Sequence, residues 1–402
     1  MVKIETSIWA YPWDLLSEGV ENALDNISAL GLDAVSIAAA YHSGKFLSAR
    51  NSERKVYFPE GGVVYFQPSQ ARFKDLPLQP CVSELMGKAD ILAGAVKHCK
   101  ELELKSVAWV VGTHNTRLAS SHLELAAQNA YGDPYIYALC PSNESVRRYV
   151  AALTEDLLDQ YPFGAIEVES VGYMGFLHGY HHEFYSVNLG LFEQALLALC
   201  FCPACERMAD DAGVDVSHLK DEIRAAIDRK LAQPSSLPAD SLAELLDFIL
   251  PRAELSLFLR KRCETVTQFA AELCSIAHRQ SAKFYFAGPV FAQPTAMGWV
   301  EGIDCNLIGR VVDRFEVSLY FDDPERKAAE AFSIVGRGLP CELEAALNVG
   351  HPYTRSCSDL VASAQLVQQA GFAALGFYNY GTLPEYRLKW IREAVKSLRG
   401  AF

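Results

Sequence analysis

Short apolar runs, each ending in polar or aromatic residues and separated from the next by a longer helical pattern, constrain this chain more than any other feature. The first is Ile4–Trp9. The second, A-V-S-I-A-A-A, ends at Tyr41-His42, and the third, S-V-A-W-V-V-G, ends at Thr113-His114-Asn115. A-I-E-V-E-S closes on Glu169, and K-F-Y-F-A-G spans 283–288. F-E-V-S-L-Y-F runs to Asp322-Asp323, L-E-A-A-L-N-V follows, and A-A-L-G-F ends at Tyr378-Asn379-Tyr380-Gly381. Apolar positions recur at three and four residues in Leu15–Leu30, which Gly31 terminates, and helices are expected near Ser83–Leu102, Glu144–Tyr161 and Arg387–Leu398. Strands that alternate with helices and read as continuous apolar runs belong to parallel sheets covered on both faces.

Eight such units predict an α/β chain folded as a (β/α)8 TIM barrel, a single catalytic domain over residues 1–402. The connection between the fourth and fifth strands is enlarged. A mostly helical insertion is expected over 178–280, with P-S-S-L-P at 234–238 as a local break. A doubly wound open sheet is the alternative. Its nucleotide-binding forms lose support because neither G-x-G-x-x-G nor G-x4-G-K-[ST] occurs at the required place.

A net charge of −13 and a pI near 5.3 argue against nucleic acid or an anionic membrane as partner, and no basic cluster could neutralise phosphates. No secretory pattern opens the sequence, and no run reaches the roughly 18 apolar residues of a membrane helix. The 11 cysteines are odd in number and scattered, which reads as reduced thiols in a cytoplasmic protein. A small neutral ligand fits this chemistry, and homo-oligomerisation is left open.

Residues that end barrel strands face the active site. Here they are Trp9 and Tyr11, Tyr41 and His42, His114 and Asn115, Glu169, Asp322 and Asp323, Asn348 and His351, Tyr378, Asn379 and Tyr380. Aromatic faces stack on the C–H faces of sugar rings, while amides and carboxylates bind hydroxyls. A neutral polyol is therefore expected rather than a phosphate ester, which would call for glycine-rich loops or arginine clusters. An acid at an apolar strand end is costly without purpose, so Glu169 reads as functional and Glu167, two residues deeper, as structural. His178, His181 and His182 read as hydrogen-bonding groups near the substrate.

Cys200, Cys202 and Cys205 form C-x-C-x2-C, and Cys140 lies upstream in L-C-P-S-N. Four thiolates would close a tetrahedral zinc site with no position left for water, hence a structural one. The isolated Cys263, Cys274 and Cys305 read as apolar filling.

L-C-P-S-N-E-S-V-R-R-Y, the carboxylate-ending strand and C-F-C-P-A-C together resemble the catalytic barrel of family 42 glycoside hydrolases, the zinc-bearing β-galactosidases. The specific resemblance covers roughly residues 135–210. It implies Cys140, Cys200, Cys202 and Cys205 as zinc ligands and Glu169 as acid/base. The chain departs from the family in three respects. Val168-Glu169 replaces the usual Asn-Glu. The seventh strand carries Glu342 and Glu344 at its start, with only Asn348 and His351 at its end, where the family has its nucleophile. The family's trimerisation and C-terminal β domains have no counterpart. The resemblance thus implies a distant relative, a glycosidase rather than a β-galactosidase as such.

Glycoside hydrolysis needs two carboxylates, one protonated and one ionised. Glu169 is the expected acid, its pKa raised by aromatic surroundings. Asp322 or Asp323 is the expected partner. Trp9, Tyr41, His42, His114, Asn115, His181, His182, Tyr378 and Asn379 are the expected substrate contacts. Two rivals use the same barrel. One is a metal-dependent sugar isomerase or epimerase with His42, His114, Glu169 and a histidine of 178–182 as ligands, and the other a carbohydrate-binding barrel without catalysis.

Overall fold

A computed structural model describes residues 3–87, 89–177, 187, 189–232, 241–289 and 294–400. Its centre is a ring of parallel strands: β1 (Glu5–Ala10), β2 (Ala34–Tyr41), β3 (Lys105–Val111), β4 (Ala165–Glu169), β5 (Lys283–Ala287), β6 (Arg314–Ser318), β7 (Glu342–Asn348) and β8 (Ala374–Tyr378). Each pairs with its neighbours in sequence, and β1 pairs with both β2 and β8, so the sheet closes on itself as a (β/α)8 barrel. The apolar runs form strands because both faces are covered: β2 is buried along its whole length.

The first expected helix is divided in two, Pro12–Glu18 and Val20–Ser28. Gly19 stands between them at φ +85°, a backbone that only glycine adopts cheaply. The expected helix over Ser83–Leu102 begins later, at Ile91, where Asp90 accepts a hydrogen bond from the Ala93 N–H. The β4–β5 connection contains helices Leu191–Leu197, Pro203–Asp211, Val216–Leu231, Ser241–Ile249 and Ala253–Arg279. Among the described residues no helix is long and apolar enough to cross a membrane.

The N-terminal end of the barrel is plugged by charge. Arg314 donates to Glu5 and Glu342, each at 2.8 Å, and to Glu344 at 3.2 Å. Lys105 lies 3.3 Å from Glu5 and donates to the Tyr285 hydroxyl at 2.5 Å. Above this plug the interior opens toward the strand ends. Gly376 on β8 leaves the space there into which the Trp9 indole packs, since a Cβ would collide with the ring.

Candidate active site

At the C-terminal mouth lies a cavity of about 250 Å³ lined by Trp9, Tyr41, His42, Phe46, Trp109, Glu167, Glu169, Ala287, Glu316, Ser318, Tyr320 and Tyr378. Nearly every lining residue comes from a strand end or the residues just after it, so the barrel itself fixes their positions. Phe46 is contributed by the long β2–β3 connection.

Three carboxyls share this space. Glu169 ends β4, half-buried, and accepts from the Trp109 indole N–H at 3.0 Å. Burial pushes its pKa up to about 7, against the opposing pull of the Trp109 donor. Glu167 lies one turn of the pleat deeper on the same face. It accepts from Trp9 at 3.0 and 3.1 Å and from the Ser36 hydroxyl at 3.0 Å. Glu316, on β6, is hydrogen-bonded to Glu167. Burial first, and then the neighbouring Glu167, Glu344 and Glu169, hold Glu316 well above the usual carboxylate range. Burial and Glu344 raise Glu167 to about 8, although Trp9, Ser36 and Glu316 pull the other way. Two acids so close resist ionising together: Glu316 keeps its proton and donates to Glu167, and the pair takes up its second proton near pH 8, where Glu167 is protonated.

Aromatics collar the acids. Trp109 meets Tyr41 edge-on at 4.9 Å between ring centroids. The Tyr11 hydroxyl bonds Tyr378 at 2.5 Å and Tyr41 at 3.1 Å. Burial raises all three tyrosines above their ordinary range, which keeps them neutral as donors. His42 stacks on His114 with centroids 4.1 Å apart, and its Nδ1–H donates to the Ser43 carbonyl at 2.6 Å. Burial lowers the His42 pKa to about 4, so its ring is neutral.

The structure thus brings together Trp9, Tyr41, His42, Glu169 and Tyr378, with His114 behind His42. It sends others elsewhere. The sixth strand ends at Ser318, and by Asp322 the chain has left the mouth. Asp322 is exposed and lies 3.8 Å from Arg355. Asp323 caps the helix Pro324–Val335 through the Glu325 N–H. Neither lines the cavity, whose carboxyls are Glu167, Glu169 and Glu316. Asn115 caps the helix Thr116–Ser121, and the Asn379 side chain accepts from the Gly381 N–H at 3.1 Å. Both amides serve the backbone rather than the cavity. His178, His181 and His182 lie outside the described residues. Glu316 was missed although its signal was present: F-E-V-S repeats the acid-in-apolar-strand pattern of A-I-E-V-E.

A larger hollow of about 530 Å³ lies to one side of the mouth, between Asp14, Glu18, Arg50 and Glu385. Arg50 is already held there by Glu18 at 3.3 Å and by backbone carbonyls. The smaller cavity carries the cluster of perturbed acids and lies on the barrel axis, where barrel enzymes react.

Away from the mouth, Cys140, Cys200, Cys202 and Cys205 converge, all buried. Cys140 Sγ is 3.4 Å from Cys205 Sγ and 3.7 Å from Cys200 Sγ. These separations exceed a disulfide's ~2.05 Å, and approach the ~3.8 Å edge of a tetrahedron with ~2.3 Å zinc–sulfur bonds. The residues therefore fit a four-thiolate metal site. Such a site would join the segment after the strand Pro134–Leu139 to the start of the helix Pro203–Asp211.

Neither a protein-family model nor a curated protein sequence matches this chain. Among solved structures it is similar to the catalytic domain of β-amylase from Paenibacillus polymyxa, with 13% identity and a TM-score of 0.57 over 100% of this chain and 99% of that one. The PgaB (BpsB) glycoside hydrolase domain from Bordetella bronchiseptica gives 13% and 0.57 over 99% and 98%. β-Galactosidase from the psychrophilic Marinomonas ef1 gives 10% and 0.54, over 98% of this chain but only 59% of that one. Likenesses at this identity establish the barrel fold, of the kind these glycosidases share. Of the expected resemblance to family 42, the barrel is what these likenesses show, and no family model matches the chain.

Proposed function

We propose that this protein is a glycoside hydrolase acting on a small neutral glycoside. The observation that carries the reading is the set of three raised carboxyls, Glu167, Glu169 and Glu316, inside an aromatic-lined barrel mouth. Glu169, at the rim and with a pKa near neutrality, donates the proton to the departing oxygen. The Glu167–Glu316 pair supplies the second carboxylate function once it has lost one proton: Glu316 keeps the other and donates to Glu167, and the negative charge they share faces the developing positive charge at the anomeric carbon. Trp9, Trp109 and Tyr378 offer ring faces to the sugar, and Tyr41 and His42 offer hydrogen bonds to its hydroxyls. A volume of about 250 Å³ is below the roughly 300–1,000 Å³ of drug-sized sites and suits a single ring. The Cys140, Cys200, Cys202 and Cys205 cluster would hold a structural zinc remote from this chemistry.

The isomerase reading has less support, because among the described residues no three metal-ligating atoms converge in the cavity. The test is hydrolysis of a panel of nitrophenyl monoglycosides by wild type, Glu316→Gln and Asp322→Asn. Glu316→Gln should lose at least roughly 10²-fold in turnover and Asp322→Asn almost nothing. Sugar binding with no turnover by the wild type on any member would replace this reading with a carbohydrate-binding barrel.

A further inference from the structure

A second set of metal-ligating side chains lies at the opposite end of the barrel. Cys274 and His278 are four residues apart near the end of the helix Ala253–Arg279, which places them on one face. Asp313, just before β6, meets them. The His278 Nε2 is 3.5 Å from Cys274 Sγ and 2.8 Å from Asp313 Oδ2. All three ligand atoms lie within 4.8 Å of one another.

We propose that Cys274, His278 and Asp313 form a second zinc site, independent of the four-cysteine cluster and of the barrel mouth. The geometry is close to what the ion requires. Zinc–sulfur and zinc–nitrogen bonds of ~2.3 and ~2.0–2.1 Å at a tetrahedral angle separate the two donors by roughly 3.5 Å. The nitrogen and oxygen need part by only about half an ångström to reach their own tetrahedral edge. A thiolate, an imidazole and a carboxylate form a borderline-soft set that favours zinc over magnesium or calcium. The Phe284 N–H donates at 2.8 Å to the same oxygen, Asp313 Oδ2, that faces His278 and so holds the carboxylate in place. The end of the long helix adds its negative dipole, which favours a cation there.

Burial is uneven around the site. Cys274 is only 6% exposed, whereas the His278 side chain is 55% exposed. Three protein ligands and an open side leave the fourth position to water, unlike the closed four-cysteine arrangement. The ion would strap the C-terminal end of the insertion's last helix to the start of β6. Its exposure makes the bound ion exchangeable with solvent. The competing view is a plain His278–Asp313 ion pair beside a core cysteine.

Cobalt(II) separates the two, because thiolate ligation gives a charge-transfer band that an ion pair cannot. Metal-free full-length protein is titrated with cobalt(II), and the bound equivalents are read from that band. Wild type should bind one thiolate-ligated cobalt more than His278→Gln, and Cys274→Ser should match His278→Gln. Asp313→Asn should keep the thiolate band but weaken binding at this site by more than the roughly 10–100-fold that losing an outer-shell partner costs, since Asp313 is a ligand. His278 is a surface side chain, so its variant leaves folding intact. Equal stoichiometry in wild type and His278→Gln overturns the proposal, whether or not the four-cysteine cluster binds cobalt.

Discussion

Trp9, at the end of β1, reaches across the barrel and donates its indole N–H to both carboxylate oxygens of Glu167 on β4, at 3.0 and 3.1 Å. A donor to a carboxylate favours the charged form, and here it opposes burial and the charge of Glu344. Trp9 therefore sets where the Glu167–Glu316 pair takes up its second proton. Removing the donor should make the pair easier to protonate. In Trp9→Phe a ring still fills the space beside Gly376, but the N–H is gone. The acidic limb of the pH–rate profile is expected to move to higher pH by about one unit, the ~1–1.5 kcal/mol worth of one hydrogen bond. A limb at the wild-type position, measured on any glycoside the enzyme turns over, would show that Trp9 does not act through Glu167.

Glu169 carries a stability cost that can be measured without a substrate. Its pKa in the folded protein is about 7, raised from the ordinary 4.5 by burial. In the unfolded chain it therefore ionises at a lower pH than in the folded one. Between pH 4.5 and 7 the folded state holds the extra proton, so stability from this group is full below pH 4.5 and falls as pH rises through 7. Glu169→Gln removes that dependence. The variant should match wild type in urea unfolding at pH 4 and exceed it at pH 8. The gain has an upper bound on the order of 3 kcal/mol, reduced by solvent at the half-open mouth. A variant less stable than wild type at pH 8 would mean that Glu169 is ionised and paired in the folded protein.

The four-cysteine cluster makes a different kind of claim. Cys202 lies at the N-terminus of the helix Pro203–Asp211, and Cys140 lies beyond the strand Pro134–Leu139, so one ion would join segments distant in sequence. Protein purified without chelators should retain zinc at this cluster. Cys202→Ser should lose it and unfold at least several degrees lower, since in a domain of this size each kcal/mol moves Tm by roughly 2–4 °C. Turnover per folded molecule should stay within about twofold, because no position of a closed site is open to substrate. Unchanged zinc content in the variant would place the metal elsewhere.

The barrel was legible because its strands are buried on both faces and announce themselves as apolar runs, with β2 the plainest case. Glu169 was legible for the same reason: an acid stands out at the end of such a run. Glu316 was hidden by the residues after it. Leu319-Tyr320-Phe321 continue the apolar run, so the strand looked as though it ended at Asp322, while the structure ends it at Ser318. Asn115 and Asn379 show a second limit. A capping amide and a sugar-binding amide are the same residue type at the same strand end, and only the backbone they meet distinguishes them.

The role of Glu169 as proton donor rests on what its neighbours do to it, and leaving-group chemistry can test that directly. Glu169→Gln keeps the shape and the hydrogen-bonding reach but has no proton to give. The Trp109 N–H, now 3.0 Å from the carboxylate oxygen, can still bond the amide carbonyl, so the side chain should stay in place. For a glycoside with a poor leaving group, such as an alkyl alcohol, turnover should fall by roughly 10²–10⁴-fold. A nitrophenyl glycoside, whose leaving group departs as a stable anion, should lose far less. A member of a structural ion pair would behave otherwise, harming both substrates alike through misfolding, a cause that the urea measurements at pH 8 test independently. Glu316→Gln, run beside it, should slow both substrates, because the charge it helps supply is needed whatever the leaving group. Equal losses on the two substrates for Glu169→Gln would take the donor role from Glu169 and pass it to the proton held between Glu167 and Glu316.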